Sequence, residues 1–242
     1  MSLKTFQLPF GQFVLRGDRY RTGCEAVVLH GAGKSSRARF SRLRESLNDH
    51  DIPSASFDFI GHGETGGDVS DSTLHGRTDQ AAVVIRHTSI EPLTLIAASM
   101  SGYTAIKLTE VFAVNNLILL VPAVYTPRAY DLSFSSEFST TIRTPGSWQN
   151  SDAFSITSEF KGNLLVIAAE VDDVIPLEVI ERIYASAKNA KSRLLHIVPN
   201  SRHLSLFPRE QDFLLVRNMI IKVCRNGRDN NPVHLTPKAG AF

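Results

Sequence analysis

The fold is decided by the stretch Leu95-Ile96-Ala97-Ala98-Ser99-Met100-Ser101-Gly102. An apolar strand ends in small residues, presents a serine and leads directly into a helix, which is the pattern of the nucleophile elbow G-x-S-x-G. The sharp turn strains the serine backbone, so the residues two before and two after it must be small. Around Ser99 these are Ala97 and Ser101, which replace both glycines of the motif. Ser101 fails the same test because the residue two after it is Tyr103, which is large. Ser99 is therefore the expected nucleophile.

Length and composition indicate one α/β domain of 242 residues, with 43% hydrophobic and 21% charged residues. A net charge of +2 gives no argument for a nucleic-acid partner. Cys24 and Cys224 lie far apart, with neither metal-site spacing nor a disulfide framework. We find no signal-peptide pattern and no apolar run near the ~18 residues of a membrane span. We therefore expect a cytoplasmic protein without a membrane span.

Short apolar runs alternate with helical patterns along the chain. This alternation predicts a mostly parallel sheet with helices on both faces. We predict a hairpin at 5–16, strands at 24–29, 53–59, 92–98, 116–121, 164–169 and 194–198, and helices at 38–47, 72–87, 103–112, 177–187 and 211–224, the second of them capped by Ser72 or Asp71. Sheets of this kind bind ligands at the carboxyl ends of their strands.

The segment 123–160 breaks this rhythm because it is too long for an ordinary connection and is rich in aromatic residues. We predict that it is a lid or insertion in a core formed by 1–122 and 161–224. The polar tail 225–242 is expected to be flexible.

A serine nucleophile needs a base, an acid that orients the base, and an oxyanion hole. His203 is the best candidate base, because it follows the last predicted strand by a short polar loop. His196 lies in a strand, and the glycine loops around His30 and His62 favour structural roles. The remaining histidines lie on helices, turns or the tail: His50, His75, His87 and His234.

Three acids follow the strand at 164–169 and compete for the orienting role: Glu170, Asp172 and Asp173. The oxyanion hole requires two converging backbone N–H groups. We expect one from Met100, at the start of the helix after the elbow. The other is expected from Ala32 in the loop His30-Gly31-Ala32-Gly33, whose glycines allow a close approach to substrate.

The same loop also suggests a nucleotide site, since Gly33-Lys34-Ser35 resembles the end of a phosphate-binding P-loop. That motif, G-x-x-x-x-G-K-S/T, has a first glycine five residues before its second, and Gly33 would be the second. The residue at the position of the first glycine is Val28, inside a predicted strand. The nucleotide hypothesis is therefore weak.

Taken together, the order Ser99, Asp172, His203 over residues 20–224 resembles the α/β-hydrolase superfamily, in its serine esterase and thioesterase branch. The matching motifs are His30-Gly31-Ala32-Gly33, Asp58-Phe59-Ile60-Gly61-His62-Gly63-Glu64, Ala97 to Gly102, Asp172-Asp173-Val174-Ile175-Pro176 and His203-Leu204. The fourth resembles the acid loop D-x-x-x-P of the superfamily, which selects Asp172 as the acid. The resemblance implies an α/β-hydrolase fold of about eight strands with a short lid.

The resemblance also implies that a small-molecule ester or thioester is cleaved through an acyl-enzyme on Ser99, without a metal or organic cofactor. Aromatic residues of the insertion, Trp148, Phe134 and Tyr125, are expected to bind the acyl group; alternatively, these rings only pack the insertion onto the core. Other hypotheses are a serine acyltransferase or C–C hydrolase, and a non-catalytic fold that binds a small ligand. The serine argues against the branches that use aspartate or cysteine.

Overall fold

The secondary structure is known from a computed structural model that describes residues 3–228. The strands are β1 (Lys4–Phe10), β2 (Phe13–Arg19), β3 (Cys24–Leu29), β4 (Ser54–Phe57), β5 (Ser89–Ala98), β6 (Val114–Leu120), β7 (Asn163–Ala169) and β8 (Ser192–Val198). The α-helices are α1 (Ser41–Asp49), α2 (Leu74–Thr88), α3 (Ser101–Leu108), α4 (Ser136–Arg143), α5 (Ala153–Glu159), α6 (Leu177–Ser186) and α7 (Glu210–Arg228). No helix within residues 3–228 is both long enough and apolar enough to cross a membrane.

The strands form one sheet in the order β1-β2-β4-β3-β5-β6-β7-β8. The hairpin β1–β2 is antiparallel and pairs antiparallel with β4, whereas the pairs from β4 to β8 are all parallel. The predicted fold class, a mostly parallel sheet of about eight strands, is therefore confirmed.

Each face of the sheet has its own buried core. Successive side chains of a strand point to opposite faces, so neighbouring residues enter different cores. In β5, Leu95 and Ala97 join the core beneath α2, α3, α5 and α6, while Ile96 joins the core beneath α1 and α7. The same alternation holds in β7 for Leu164 and Leu165. The central strands therefore consist of nearly continuous apolar runs, as parallel strands covered on both faces do.

Two boundaries differ from the prediction for identifiable reasons. Helix α2 is capped by Thr73, whose hydroxyl accepts a hydrogen bond from the Gly76 N–H, and not by Ser72 or Asp71. Helix α7 continues to Arg228, past the predicted start of the tail at residue 225. The Arg228 guanidinium pairs with Glu25 at 2.8 Å and so ties the last turn to β3. The rest of the predicted tail, 229–242, lies outside the described residues.

The segment 123–160 carries α4 and α5 and lies between β6 and β7. It is fastened to the helix after the elbow by a polar contact: the Tyr103 hydroxyl donates to Asp152 at 2.5 Å, and Lys107 binds the same carboxylate at 3.2 Å. Its aromatic side chains pack on the same core as α2 and α3. The segment is thus an anchored part of the structure, and its role as a lid remains a prediction.

Candidate active site

The elbow at the end of β5 holds Ser99 at a φ of 51°, in the left-handed region that residues other than glycine rarely occupy. Its backbone is fixed on both sides: its N–H donates to Leu120 at 2.9 Å, and its carbonyl accepts from Gly102 at 2.8 Å and Ala123 at 3.0 Å. Such a strained conformation persists only where the surroundings over-determine it. The turn therefore presents the Ser99 hydroxyl at the carboxyl edge of the sheet.

The steric rule used on the sequence has a visible cause. Ala97 and Ser101 are both fully buried beside the turn, so a larger side chain at either position must displace packed atoms. A Cβ on residue 102 would lie only 2.6 Å from Cβ of Pro122. The close approach of α3 to the segment after β6 therefore requires Gly102.

The loop after β8 brings His203 to Ser99, with 2.8 Å between Nε2 of the imidazole and Oγ of the serine. Nδ1 of the same ring lies 2.9 Å from Oδ2 of Asp172. Because an ionised carboxylate only accepts hydrogen bonds, Nδ1 carries the proton and Nε2 is left to accept from the serine. The structure thus brings together the three residues in which the sequence predicts a nucleophile, a base and an acid.

The Asp172 carboxylate is held for this contact by the backbone of its own loop. Its Oδ1 accepts from the N–H groups of Val174 at 2.9 Å and Ile175 at 2.8 Å. Burial raises the pKa of Asp172, but hydrogen bonds from His203 and these two N–H groups outweigh it, so the pKa lies below its ordinary value. Asp172 is therefore ionised at neutral pH.

The other two candidate acids have different partners. Glu170 accepts from the N–H of Asn200 at 2.7 Å, so it braces the turn that leads to His203. The Asp173 side chain is 64% exposed and its partner is Arg202 at 4.0 Å. Geometry therefore separates Asp172 from its neighbours.

The loop after β3 lies directly against the serine. A Cβ on Gly31 would be 3.2 Å from Cβ of Ser99 and 3.8 Å from its Oγ, so glycine lets the loop approach. The Gly31 carbonyl is 2.7 Å from Nδ1 of His30, while Nε2 of that ring accepts from the N–H of Phe59 at 3.2 Å. His30 is thus a neutral structural histidine; burial and the nearby Arg77 charge lower its pKa well below 6.5.

The loop after β4 is closed by its own carboxylate. Asp58 accepts from the backbone N–H of Arg37 at 2.8 Å and of Glu64 at 3.0 Å. A Cβ on Gly63 would lie 2.3 Å from the same carboxylate, which explains the glycine. This motif supports the loop and does not reach Ser99 through any of these contacts.

Sequence reasoning missed one residue beside the site, Arg77 of α2, which is fully buried. Its guanidinium donates to the carbonyl of His30 at 2.8 Å and to the hydroxyl of Ser101 at 2.9 Å. Its Cζ lies 3.6 Å from the centre of the Phe59 ring. Burial lowers the pKa of Arg77 to about 9.

The predicted acyl-binding rings have partners within the insertion and the core. Trp148 lies edge-on to Phe154, with ring centres 6.2 Å apart, and Phe134 lies edge-on to Phe138 at 4.7 Å. Tyr125 lies edge-on to Tyr103 at 5.7 Å. These are packing contacts, so the binding role of the three rings remains a prediction.

The nucleotide hypothesis gains no support. Val28, at the position where a P-loop needs its first glycine, lies inside β3 as predicted. Lys34 is exposed beyond the loop that contacts Ser99.

We expect Ser99→Gly to be more stable than Ser99→Ala. Both variants lose the hydroxyl and its bond to His203, but alanine keeps a Cβ at φ 51°, a conformation that costs about 1 kcal/mol outside glycine. Urea unfolding of both variants should show a higher free energy of unfolding for the glycine variant. Equal stability would contradict strain at the elbow.

We also expect stability to fall between pH 7 and pH 5, in part through His30. Its folded pKa lies well below 6.5, so the unfolded chain binds a proton that the native state does not, and each such group costs up to about 1.4 kcal/mol per pH unit. Buried His62 acts in the same direction. His30→Asn, whose amide can still donate to Gly31, should lose stability less steeply in this window, as followed by thermal unfolding. The reference is the wild-type protein measured over the same window; an unchanged slope in His30→Asn would contradict the buried neutral imidazole.

Comparisons with known proteins agree with this architecture. No family model matches the chain, and no curated protein matches it. Among solved structures, it is similar to Est1E from Butyrivibrio proteoclasticus with ferulic acid bound, at a TM-score of 0.71 and 15% identity over 93% of this chain and 100% of that one. It is also similar to a monoacylglycerol lipase from Paleococcus ferrophilus, at a TM-score of 0.68 and 18% identity over 88% of this chain and 99% of that one. A third similar structure is a thioesterase domain from the curacin biosynthetic pathway, at a TM-score of 0.66 and 12% identity over 93% of this chain and 100% of that one. The chain therefore has the α/β-hydrolase fold.

Proposed function

We propose that this chain is a serine hydrolase that cleaves a small ester or thioester through an acyl-enzyme on Ser99. The observation that carries the proposal is the continuous hydrogen-bond chain from Ser99 through His203 to Asp172, built on a serine held at φ 51°. A nucleophile, a base and an orienting acid in this geometry are the parts that acyl transfer requires.

In the first half of the reaction, Ser99 Oγ attacks the substrate carbonyl while Nε2 of His203 takes its proton. Asp172, ionised and fixed by its own loop, keeps the proton on Nδ1 of the imidazole and stabilises the imidazolium that forms. His203 then gives its proton to the departing alcohol or thiol, which leaves the acyl group on the serine.

We assign the stabilisation of the negative charge that develops on the carbonyl oxygen to the N–H groups of Met100 and Ala32. The Met100 N–H belongs to the start of α3, where backbone donors lack partners within the helix. The Ala32 N–H shares a peptide with the Gly31 carbonyl, which points towards His30. In a trans peptide the N–H points opposite to the carbonyl. It is thus turned away from His30, in a loop that touches Ser99.

In the second half, water activated by His203 attacks the acyl-enzyme and releases the acid. The same chemistry with another acceptor gives an acyltransferase, and a carbon leaving group gives a C–C hydrolase. The esterase, lipase and thioesterase among the similar structures favour an ester or thioester.

Of the predicted acyl-binding rings, we favour Tyr125, because it contacts Tyr103 in the helix of the elbow. The binding role of Trp148 and Phe134 stays a prediction, because their ring contacts are with Phe154 and Phe138.

The cytoplasmic location expected from composition is part of the same proposal. Cys24 and Cys224 are both unpaired and buried, which suits a reducing compartment.

The proposal is tested with a fluorophosphonate probe and p-nitrophenyl esters. We expect one probe per chain, mapped to Ser99, and ester hydrolysis reduced by about 10³-fold or more in His203→Ala. Asp172→Asn should also lower kcat by orders of magnitude, because an amide allows the wrong imidazole tautomer.

A matched control is His75→Ala. His75 also pairs with a carboxylate, Asp131 at 2.8 Å, but it is half exposed and forms no bond to a serine of the described part of the chain. It should keep wild-type labelling and hydrolysis. Absence of labelling, or labelling that survives in His203→Ala, would contradict the proposal, and a small hydrophobic ligand that raises the melting temperature would then favour a binding protein.

A further inference from the structure

We propose that Arg77 is a positioning residue of the oxyanion hole: it holds the loop after β3 against the elbow and places an unneutralised positive charge behind it. This inference rests on the proposed function of Ser99. Within residues 3–228, the hydrogen bonds of Arg77 go to His30, Gly31 and Ser101 and not to Ser99 or His203, so it acts through the groups that it binds.

The contacts of Arg77 join the two backbone segments that the oxyanion hole needs. Its Nη2 donates to the carbonyls of His30 at 2.8 Å and Gly31 at 3.4 Å, in the loop after β3. The same nitrogen donates at 2.9 Å to the hydroxyl of Ser101, in the elbow. That hydroxyl in turn donates to the His30 carbonyl at 2.5 Å. One guanidinium therefore ties the loop to the elbow.

The bond to the Gly31 carbonyl has a directional consequence. His30 and Arg77 hold that oxygen on one side of the peptide, so the Ala32 N–H must point to the other side. Without Arg77, the His30 imidazole is the one hydrogen-bond partner that the Gly31 carbonyl keeps among residues 3–228. A donor that must be aimed at a developing charge loses much of its value when its orientation is free.

The charge of Arg77 is not neutralised by an acid. Among residues 3–228 it forms no ion pair, and its Nε and Nη1 are buried without a hydrogen-bond partner. Besides the neutral acceptors of Nη2, its compensation is the face of the Phe59 ring. An unpaired buried cation is costly to the fold, and its field favours negative charge nearby. The tetrahedral oxyanion on Ser99 is such a charge, whereas a neutral ester is not.

The decisive variants are Arg77→Met, which removes the donors and the charge, and Arg77→Lys, which keeps the charge. We expect Arg77→Met to lower kcat for p-nitrophenyl butyrate by about 10- to 100-fold, with KM within about threefold of wild type. Affinity for a trifluoromethyl ketone, which forms an oxyanion on the serine, should fall by a similar factor. Arg77→Lys should recover part of both losses.

The matched control is Arg44→Met, which also removes a buried arginine. Arg44 is 3% exposed and bonds to Asp18 and Ser54, away from the elbow. It should lower the melting temperature while kcat stays near wild type, which separates loss of stability from loss of oxyanion support. If Arg77→Met does not fold, Arg77→Gln is measured in its place.

The outcomes distinguish this inference from the function on which it depends. Wild-type protein that fluorophosphonate does not label would overturn both. Labelled, active wild type with Arg77 variants that keep kcat and ketone affinity within threefold would overturn the role of Arg77 alone. An equal loss in Arg44→Met, or a loss confined to KM, would also overturn it.

Discussion

The rest of the site depends on the left-handed turn at Ser99. A φ of 51° at a serine is unfavourable by itself, and it is kept by three backbone hydrogen bonds and by the small buried neighbours Ala97 and Ser101. These same contacts join β5, α3 and the segment after β6. The unfavourable conformation of the turn is therefore stabilised by the packing of the central sheet. The Ser99 hydroxyl is positioned by that packing.

The polar groups around this turn are arranged by sign. The buried ionised carboxylate of Asp172 is balanced by His203 and by two backbone N–H groups. The buried cation Arg77, in contrast, has no carboxylate partner among the described residues. In the proposed reaction, Asp172 would stabilise positive charge on the imidazole and Arg77 would favour negative charge on a bound oxygen. Proton transfer from serine to histidine in a tetrahedral intermediate produces that separation of charge.

Sequence reasoning predicted the elements whose causes are local. The strand periods, the single serine with small neighbours and the loop order placed Ser99 and His203 at the carboxyl edge of a parallel sheet. Three acids within four residues could not be separated by local rules alone, and only the resemblance selected Asp172. Which way the rings of the insertion point depends on tertiary packing, so their composition did not predict whether Trp148 faces a substrate or the core.

Arg77 was missed because an arginine in a helix is usually a surface residue. A signal was present: it lies on the apolar stripe of α2, in register with Leu74, Ala81, Val84 and Thr88, all of which are buried. A charged residue on a buried helix face requires an explanation. Here the explanation needs contacts with a loop some 46 residues away in sequence, which helix periodicity does not reveal.

The central claim is that Ser99 carries the acyl group while two backbone N–H groups hold its oxyanion. A crystal structure of the phosphonate adduct tests it most directly. The account predicts phosphorus on Ser99 Oγ, with a phosphoryl oxygen about 2.7–3.1 Å from the backbone nitrogens of both Met100 and Ala32. An adduct on another serine, or a phosphoryl oxygen that points to solvent away from both nitrogens, would contradict it.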